Sequence, residues 1–279
     1  MNGGNLPELE LGVDSLNRPA ASPGDRVAST IDSDDSARFA AIAAKWWDEA
    51  GPFKPLHIMN PQRIASLRQR LVQHFDRDPD GDRPLQGLTL LDIGCGGGLV
   101  SEPMARLGAR VTGIDAAEGT SEVASLHAAT MGLQIDYRRA ETSDLVANGE
   151  RFDIVLALEI IEHVTAPDVF LDQCRALMRP DGILVVSTLN RSLTSYAKAI
   201  IGAEYILGWL PRGTHNWKQF VKPSELVAGL RRRNLETTET LGLSYNPLTQ
   251  VWKESKDTSV NYLVFARLSR AATRSGFVV

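Results

Sequence analysis

Leu90-Leu91-Asp92-Ile93-Gly94-Cys95-Gly96-Gly97-Gly98-Leu99 decides how this chain folds. A short Leu/Ile run breaks at four glycines within five positions, and Leu99, Val100, Met104, Ala105 and Leu107 then recur at helical spacing. The pattern predicts a buried strand, a tight turn and an amphipathic helix. Glycine reaches positive φ and lets a ligand approach the backbone closely. The helix N-terminus beyond it leaves N–H groups for a polar ligand. The next apolar stretch, Arg110-Val111-Thr112-Gly113-Ile114, ends in Asp115, 19 positions after Gly96. A βαβ unit places such an acid against ribose hydroxyls.

The glycine spacing separates the ligands that such a unit takes. A dinucleotide site needs G-x-G-x-x-G, because its helix receives a pyrophosphate. Counted from Gly94, the third glycine is replaced by Leu99, which argues against a nicotinamide-dependent oxidoreductase. The form Gly94-Cys95-Gly96-Gly97-Gly98 resembles motif I of the class I S-adenosylmethionine-dependent methyltransferases. That resemblance implies a loop cradling the methionine part of the cofactor, with Asp115 on the ribose. A glycine-rich turn without a ligand is the plain alternative.

Composition sets the outer bounds. With 279 residues, 43% hydrophobic, the chain is long enough for one large domain or two small ones. A net charge of −4 gives no sign of nucleic-acid binding. The two cysteines, Cys95 and Cys174, fall in the glycine loop and a predicted helix, which fits a reducing compartment and no disulfide framework. No run reaches the ~20 apolar residues of a membrane span. The expected location is cytoplasmic.

Taken in order, residues 1–32 read as a disordered leader, rich in Gly, Pro, Ser, Asp and Asn. Residues 33–87 read as a helical cap and linker. Ser33 or Asp34 caps a first helix whose Phe39, Ile42, Ala43 and Trp46 share a face. Asn60 and Pro61 read as the cap and first residue of a second helix, which places Arg63 in a first turn, where a cation opposes the dipole and invites an anion. Residues 88–269 alternate strand and helix. The strand readings are the run before Gly94, 110–114, 134–138, 152–158, 183–188, 235–245 and 259–267, which make seven. The rhythm predicts an α/β, doubly wound, seven-stranded, mostly parallel sheet, with ligands at the carboxyl ends of its strands. Residues 190–222 interrupt it with Tyr196, Ile200, Ile201, Tyr205, Trp209 and Leu210 among Lys198, Arg212 and Lys218. An apolar, aromatic insertion with basic flanks suits a helical lid or a peripheral membrane contact, the bland reading being a helix docked on the sheet. Residues 270–279 form a tail.

Chemistry is expected at the end of the fourth strand, Leu158-Glu159-Ile160-Ile161-Glu162-His163. Two carboxylates and an imidazole lie within five positions. In one reading Glu159, Glu162 and His163 hold Mg2+ or another divalent cation that acidifies a substrate hydroxyl. In another His163 is a general base acting directly. In a third, Glu159 and His163 only orient the loop. A sulfonium methyl is already electrophilic, so the protein's task is alignment and deprotonation.

Several stretches together resemble the ubiquinone-biosynthesis O-methyltransferase family: Trp46-Trp47-Asp48, Phe53-Lys54-Pro55-Leu56-His57, Asn60-Pro61-x-Arg63, the glycine loop, Glu159-x-x-Glu162-His163, Gly202-Ala203-Glu204-Tyr205-Ile206-Leu207 and Tyr245-Asn246-Pro247. The likeness runs over residues 36–267. It implies a Rossmann-like methyltransferase domain, S-adenosyl-L-methionine as cofactor, and Arg63, Gly94, Gly96, Asp115 and Leu158 as its contacts. It implies polyprenylated phenol or catechol substrates, 2-polyprenyl-6-hydroxyphenol and 3-demethylubiquinol, methylated on ring hydroxyls. Glu159, Glu162 and His163 match a metal site proposed in some members. A complex with other ubiquinone-biosynthesis enzymes at the inner face of a membrane is the implied setting.

Overall fold

The structure is a computed structural model and describes residues 28–195, 217–246, 249 and 251–269. The N-terminal cap contains α1 (Ser33–Ile42) and α2 (Lys54–His74). The sheet region then runs β1 (Thr89–Ile93), α3 (Ser101–Arg106), β2 (Arg110–Asp115), α4 (Thr120–Thr130), β3 (Asp136–Arg139), α5 (Thr142–Ala147), β4 (Phe152–Leu158), α6 (Pro167–Ala176) and β5 (Met178–Leu189). A single turn α7 (Leu193–Ser195), α8 (Pro223–Arg232), β6 (Leu235–Asn246), β7 (Val251–Ser255) and β8 (Asn261–Leu268) complete it.

The doubly wound sheet is present, with eight strands instead of the expected seven, in the order β3-β2-β1-β4-β5-β8-β6-β7. The first five pair in parallel and the last three antiparallel. The extra strand is β7, whose Val251-Trp252-Lys253-Glu254-Ser255 is too polar and short to announce itself. β7 and its neighbour β6 are tied to the cap instead: Arg70 of α2 pairs with Glu239 of β6 at 2.8 Å and also with Glu254 of β7.

Alternation along the strands divides the core between two faces. Leu91, Ile93, Val155, Ala157, Leu184 and Val186 pack with Phe170 and Cys174 of α6 and Leu226 and Leu230 of α8. Leu90, Ile154, Leu156, Ile183 and Val185 pack with Leu67 and Leu71 of α2 and Met104 of α3. The register then lines up the carboxyl edge. Ile93 pairs with Ile114 and with Ala157, and Leu158 pairs with Ser187. Gly94, Asp115, Glu159 and Thr188 therefore leave the sheet side by side. Because β8 runs antiparallel, its first residue, Asn261, sits opposite Leu189 at that same edge.

Two expectations about the cap are overturned. Asn60 is not a helix cap, and Arg63 is not in a first turn. The helix begins at Lys54 with Pro55 in its first turn, and Pro61 lies inside it. An interior proline costs about 3 kcal/mol through its missing N–H and its ring clash. Met59, Leu67, Leu71 and Val72 are buried along the same helix, and that packing holds it continuous across the proline. The second correction concerns the leader. Residues 28–32 are part of the fold: Thr165 N donates to Thr30 O at 2.9 Å, Gln173 Nε2 to Ala28 O at 2.7 Å, and Asp32 caps α1. Leader residues 1–27, most of the predicted lid (196–216) and the tail 270–279 lie outside the described residues.

Leu67 is fully buried between α2 and the sheet. Leu67→Ala is expected to destabilise the chain by about 2–5 kcal/mol through lost transfer energy and a residual cavity. Urea denaturation checks this; an unchanged midpoint would contradict the docking of α2 on the sheet.

Candidate active site

The glycine loop is built by three left-handed residues, Gly94 (φ 68°), Gly96 (φ 52°) and Gly98 (φ 92°). Its turn is closed by Gly94 N and Cys95 N donating to Ile114 O at 2.8 and 3.0 Å. Asp115 then locks it from β2: Gly96 N donates to Oδ2 at 3.0 Å and Ala117 N to Oδ1 at 2.8 Å. Burial raises the Asp115 carboxyl above its ordinary range, and these two backbone donors oppose that rise. Each Asp115 oxygen retains acceptor capacity, since a carboxylate accepts about four hydrogen bonds.

The close approaches that the glycines permit are used by the protein's own side chains. A Cβ on Gly94 would lie 2.8 Å from Ile160 Cδ1, one on Gly96 would overlap the indole of Trp46, and one on Gly97 would overlap Trp46 Cβ and lie 2.6 Å from its Cγ. A Cβ on Gly98 would lie 2.2 Å from the Tyr137 hydroxyl. The cap is thus seated on the loop. Trp46 stacks on Phe53 with centroids 3.6 Å apart, and its buried Nε1 has no hydrogen-bond partner. Trp47 Nε1 donates to Gly97 O at 2.9 Å, and its ring stacks on His127 at 3.5 Å. His127 in turn bonds the fully buried Glu102 at 2.5 Å. Asn60 Nδ2 donates to Leu99 O at 2.6 Å.

Arg63 is the cation of this site. It is buried, and among the described residues its one side-chain hydrogen-bond partner is Asn60 Oδ1, reached from Nη2 at 2.9 Å and Nε at 3.3 Å. Burial lowers its pKa, against the attraction of Glu159 and Asp92, neither of which pairs with it within 4.0 Å among the described residues. Asp92, itself buried, is pushed up to about 6 by desolvation, although Ser101 Oγ donates to it at 2.6 Å and Arg63 opposes the rise. A buried guanidinium with one neutral partner fits a cofactor that brings its own carboxylate.

The fourth-strand cluster divides. Leu158 ends β4, and Glu159 follows with φ 54°, a strained conformation for a side-chain-bearing residue. Glu159 Oε1 accepts from Ser187 Oγ at 2.8 Å and from Asn261 Nδ2 at 2.9 Å. Glu162 is buried and accepts from Thr188 Oγ1 at 2.9 Å. Desolvation, reinforced by Glu159, raises its carboxyl to about 7. His163 turns instead to the cap, where Nδ1 meets Asp35 Oδ2 at 2.8 Å and Phe39 packs edge-on at 5.6 Å. The three residues do not converge: among the described residues no group of three His, Cys, Asp or Glu side chains is arranged to hold a metal ion. As placed, they do not fit a shared cation. At the start of α5, Asp144 Oδ2 accepts from Glu141 N at 2.9 Å and closes a capping box. Asp35, Ser187, Thr188 and Asn261 were not legible as site residues in the sequence.

Likeness to known proteins identifies the family. A methyltransferase-domain family model matches residues 56–240. A ubiquinone biosynthesis O-methyltransferase of Parvibaculum lavamentivorans is 50% identical over 251 residues, 90% of this chain and 99% of that relative. The chain belongs to the ubiquinone biosynthesis O-methyltransferase family. The same family name attaches to a Brucella melitensis protein, 50% identical over 85% of this chain and 96% of its own length. Among solved structures, magnesium protoporphyrin IX methyltransferase from Synechocystis PCC 6803 with bound SAM matches with a TM-score of 0.52 at 17% identity, over 83% of this chain and 97% of that one. An S-adenosylmethionine-dependent methyltransferase from Clostridium acetobutylicum matches at 0.54 and 11% identity, over 83% and 98%. These two likenesses establish the shared fold, and membership of the family makes the chain an S-adenosylmethionine-dependent enzyme.

Glu162 supplies a pH test. Its carboxyl is raised in the folded state, so the native chain keeps a proton that the unfolded chain has lost. Stability contributed by this group is full below the unfolded value, near 4.5, and falls as pH rises toward 7. Glu162→Gln is expected to remove that decline while keeping an acceptor for Thr188. Urea denaturation of both proteins between pH 4.5 and 7.5 checks it; parallel curves would contradict the assignment.

Proposed function

We propose that this chain O-methylates phenolic hydroxyls of polyprenylated rings in ubiquinone synthesis, at the stages of 2-polyprenyl-6-hydroxyphenol and 3-demethylubiquinol. The observation that carries the reading is Arg63, a buried cation beside the glycine loop with no contact ion partner, in a chain half identical to proteins named for this reaction. When bound, S-adenosylmethionine supplies an electrophilic methyl on a sulfonium centre.

The chain's own residues then have distinct tasks. Arg63 receives the cofactor's carboxylate, and Asp115 accepts from the ribose hydroxyls with its spare lone pairs. Gly94, Gly96 and Leu158 present backbone at the carboxyl edge and would hold the cofactor there. His163 donates its Nδ1 proton to Asp35, which leaves Nε2 as a lone-pair acceptor. Nε2 would take the phenolic proton, so that the ring oxygen is held as the nucleophile toward the methyl that a bound cofactor would supply. Of the two active readings of this cluster, the direct base is favoured by the Asp35–His163 pair.

The tail of the substrate suits the apolar residues of the 190–222 insertion. The two ends of that insertion stand together: Trp217 Nε1 donates to Ser192 O at 3.0 Å and Val221 N to Leu189 O at 3.2 Å. Access from a membrane surface is the mode of delivery we infer for such a substrate. No helix among the described residues is long and apolar enough to cross a membrane.

Asp115→Ala is expected to weaken S-adenosylhomocysteine binding at least tenfold by calorimetry, and unchanged affinity would refute its role. His163→Ala is expected to lower kcat on a short-tailed prenyl catechol at least a hundredfold, with cofactor affinity within threefold of wild type. The same assay with chelator is expected to run at the wild-type rate. Activity lost to chelator and restored by Mg2+ would replace the base reading with the metal one.

A further inference from the structure

Asn261 opens β8, far in sequence from every motif of the site, yet its amide lies against Glu159 at the carboxyl edge. The residue is 4% exposed. Its orientation is fixed chemically: a carboxylate only accepts, so the nitrogen must face Glu159 and the oxygen must face away. That oxygen, Oδ1, is buried and has no hydrogen-bond donor among the described residues. An unpaired buried acceptor costs free energy, and structures keep such groups where a function uses them. Its neighbour Glu159 carries a second such cost in its left-handed backbone. Two unfavourable features, one in a turn and one in an antiparallel strand, meet through a single 2.9 Å hydrogen bond.

We propose that Asn261 Oδ1 accepts the hydrogen of the ring hydroxyl adjacent to the one being methylated, and so selects vicinal diols over rings with a single hydroxyl. This rests on the proposed methylation of phenolic rings. Ser187 Oγ and Asn261 Nδ2 together hold Glu159 Oε1, so the carboxylate and the amide form one rigid unit. The free amide oxygen supplies the acceptor that a second hydroxyl needs and that a lone phenol leaves unpaired. Discrimination of this kind is strong because the penalty falls on the site's own buried polar group. Asn261 is thereby a specificity-determining residue, distinct from the group that removes the reacting proton.

The test compares two probes, a geranyl catechol and the geranyl phenol lacking the second hydroxyl, on the full chain and on Asn261→Leu. Wild type is expected to favour the catechol in kcat/KM by at least tenfold. Asn261→Leu is expected to lose about tenfold on the catechol and less than threefold on the phenol, with S-adenosylhomocysteine affinity within twofold of wild type. Equal losses on both probes, or no loss on either, would overturn the assignment. If Asn261→Leu loses cofactor binding along with its fold, Asn261→Asp is measured instead. It keeps an acceptor oxygen and removes only the donor to Glu159, so the catechol preference in kcat/KM is expected to stay within threefold of wild type; loss of that preference would overturn the proposal. A wild-type chain that binds cofactor and methylates neither ring would refute the parent reading instead.

Discussion

One carboxylate ties the site together. Asp115, at the last position of β2, accepts from the backbone of Gly96 after β1 and of Ala117 after its own strand. These bonds fix a loop that consists mainly of glycine and has little conformational preference of its own. Everything else is seated on that fixed loop: Trp46 on Gly96 and Gly97, Trp47 on the Gly97 carbonyl, Asn60 on the Leu99 carbonyl. The parallel register supplies the rest, because it brings the ends of β1, β2, β4 and β5 to one edge. The cap and the sheet therefore meet at the glycine loop, with Trp47 and Asn60 reaching it from the first and Asp115 from the second.

The seating of the cap changes the meaning of the glycines. Their lack of a side chain is needed for contact with Trp46, Tyr137 and Ile160 as much as for contact with a ligand. Residues 95–100 are buried beneath that packing, and in surroundings from which water is excluded each charge counts for more. The buried charge of Arg63, the raised carboxyls of Asp92 and Glu162, and the strained Glu159 belong to such an environment.

How far the sequence carried depended on the range of the interaction. The strand–glycine–helix run, Asp115 and the buried strands β4 and β5 were legible because periodicity and turn chemistry are local. The likeness to known motifs added Leu158 and implied a cofactor contact for Arg63, for which helix position alone suggested no more than a nearby anion. The sequence misplaced the start of α2, since Asn60-Pro61 has the form of a helix opening and only packing across the sheet carries the helix through it. It missed β7, a polar edge strand held by Arg70 from another layer. It could not see Asp35 beside His163 or Asn261 beside Glu159, because those pairs are separated by 128 and 102 positions and join through the fold alone. The grouping of Glu159, Glu162 and His163 by spacing was likewise undone in space, where each has a different partner.

Hydrogen exchange of the full chain with and without saturating S-adenosylhomocysteine tests the central claim, that cofactor binds between the cap and the glycine loop. The account predicts added protection in peptides covering residues 46–63, 94–100 and 115–118 together. Protection confined to other segments, with these three unchanged at saturation, would contradict it.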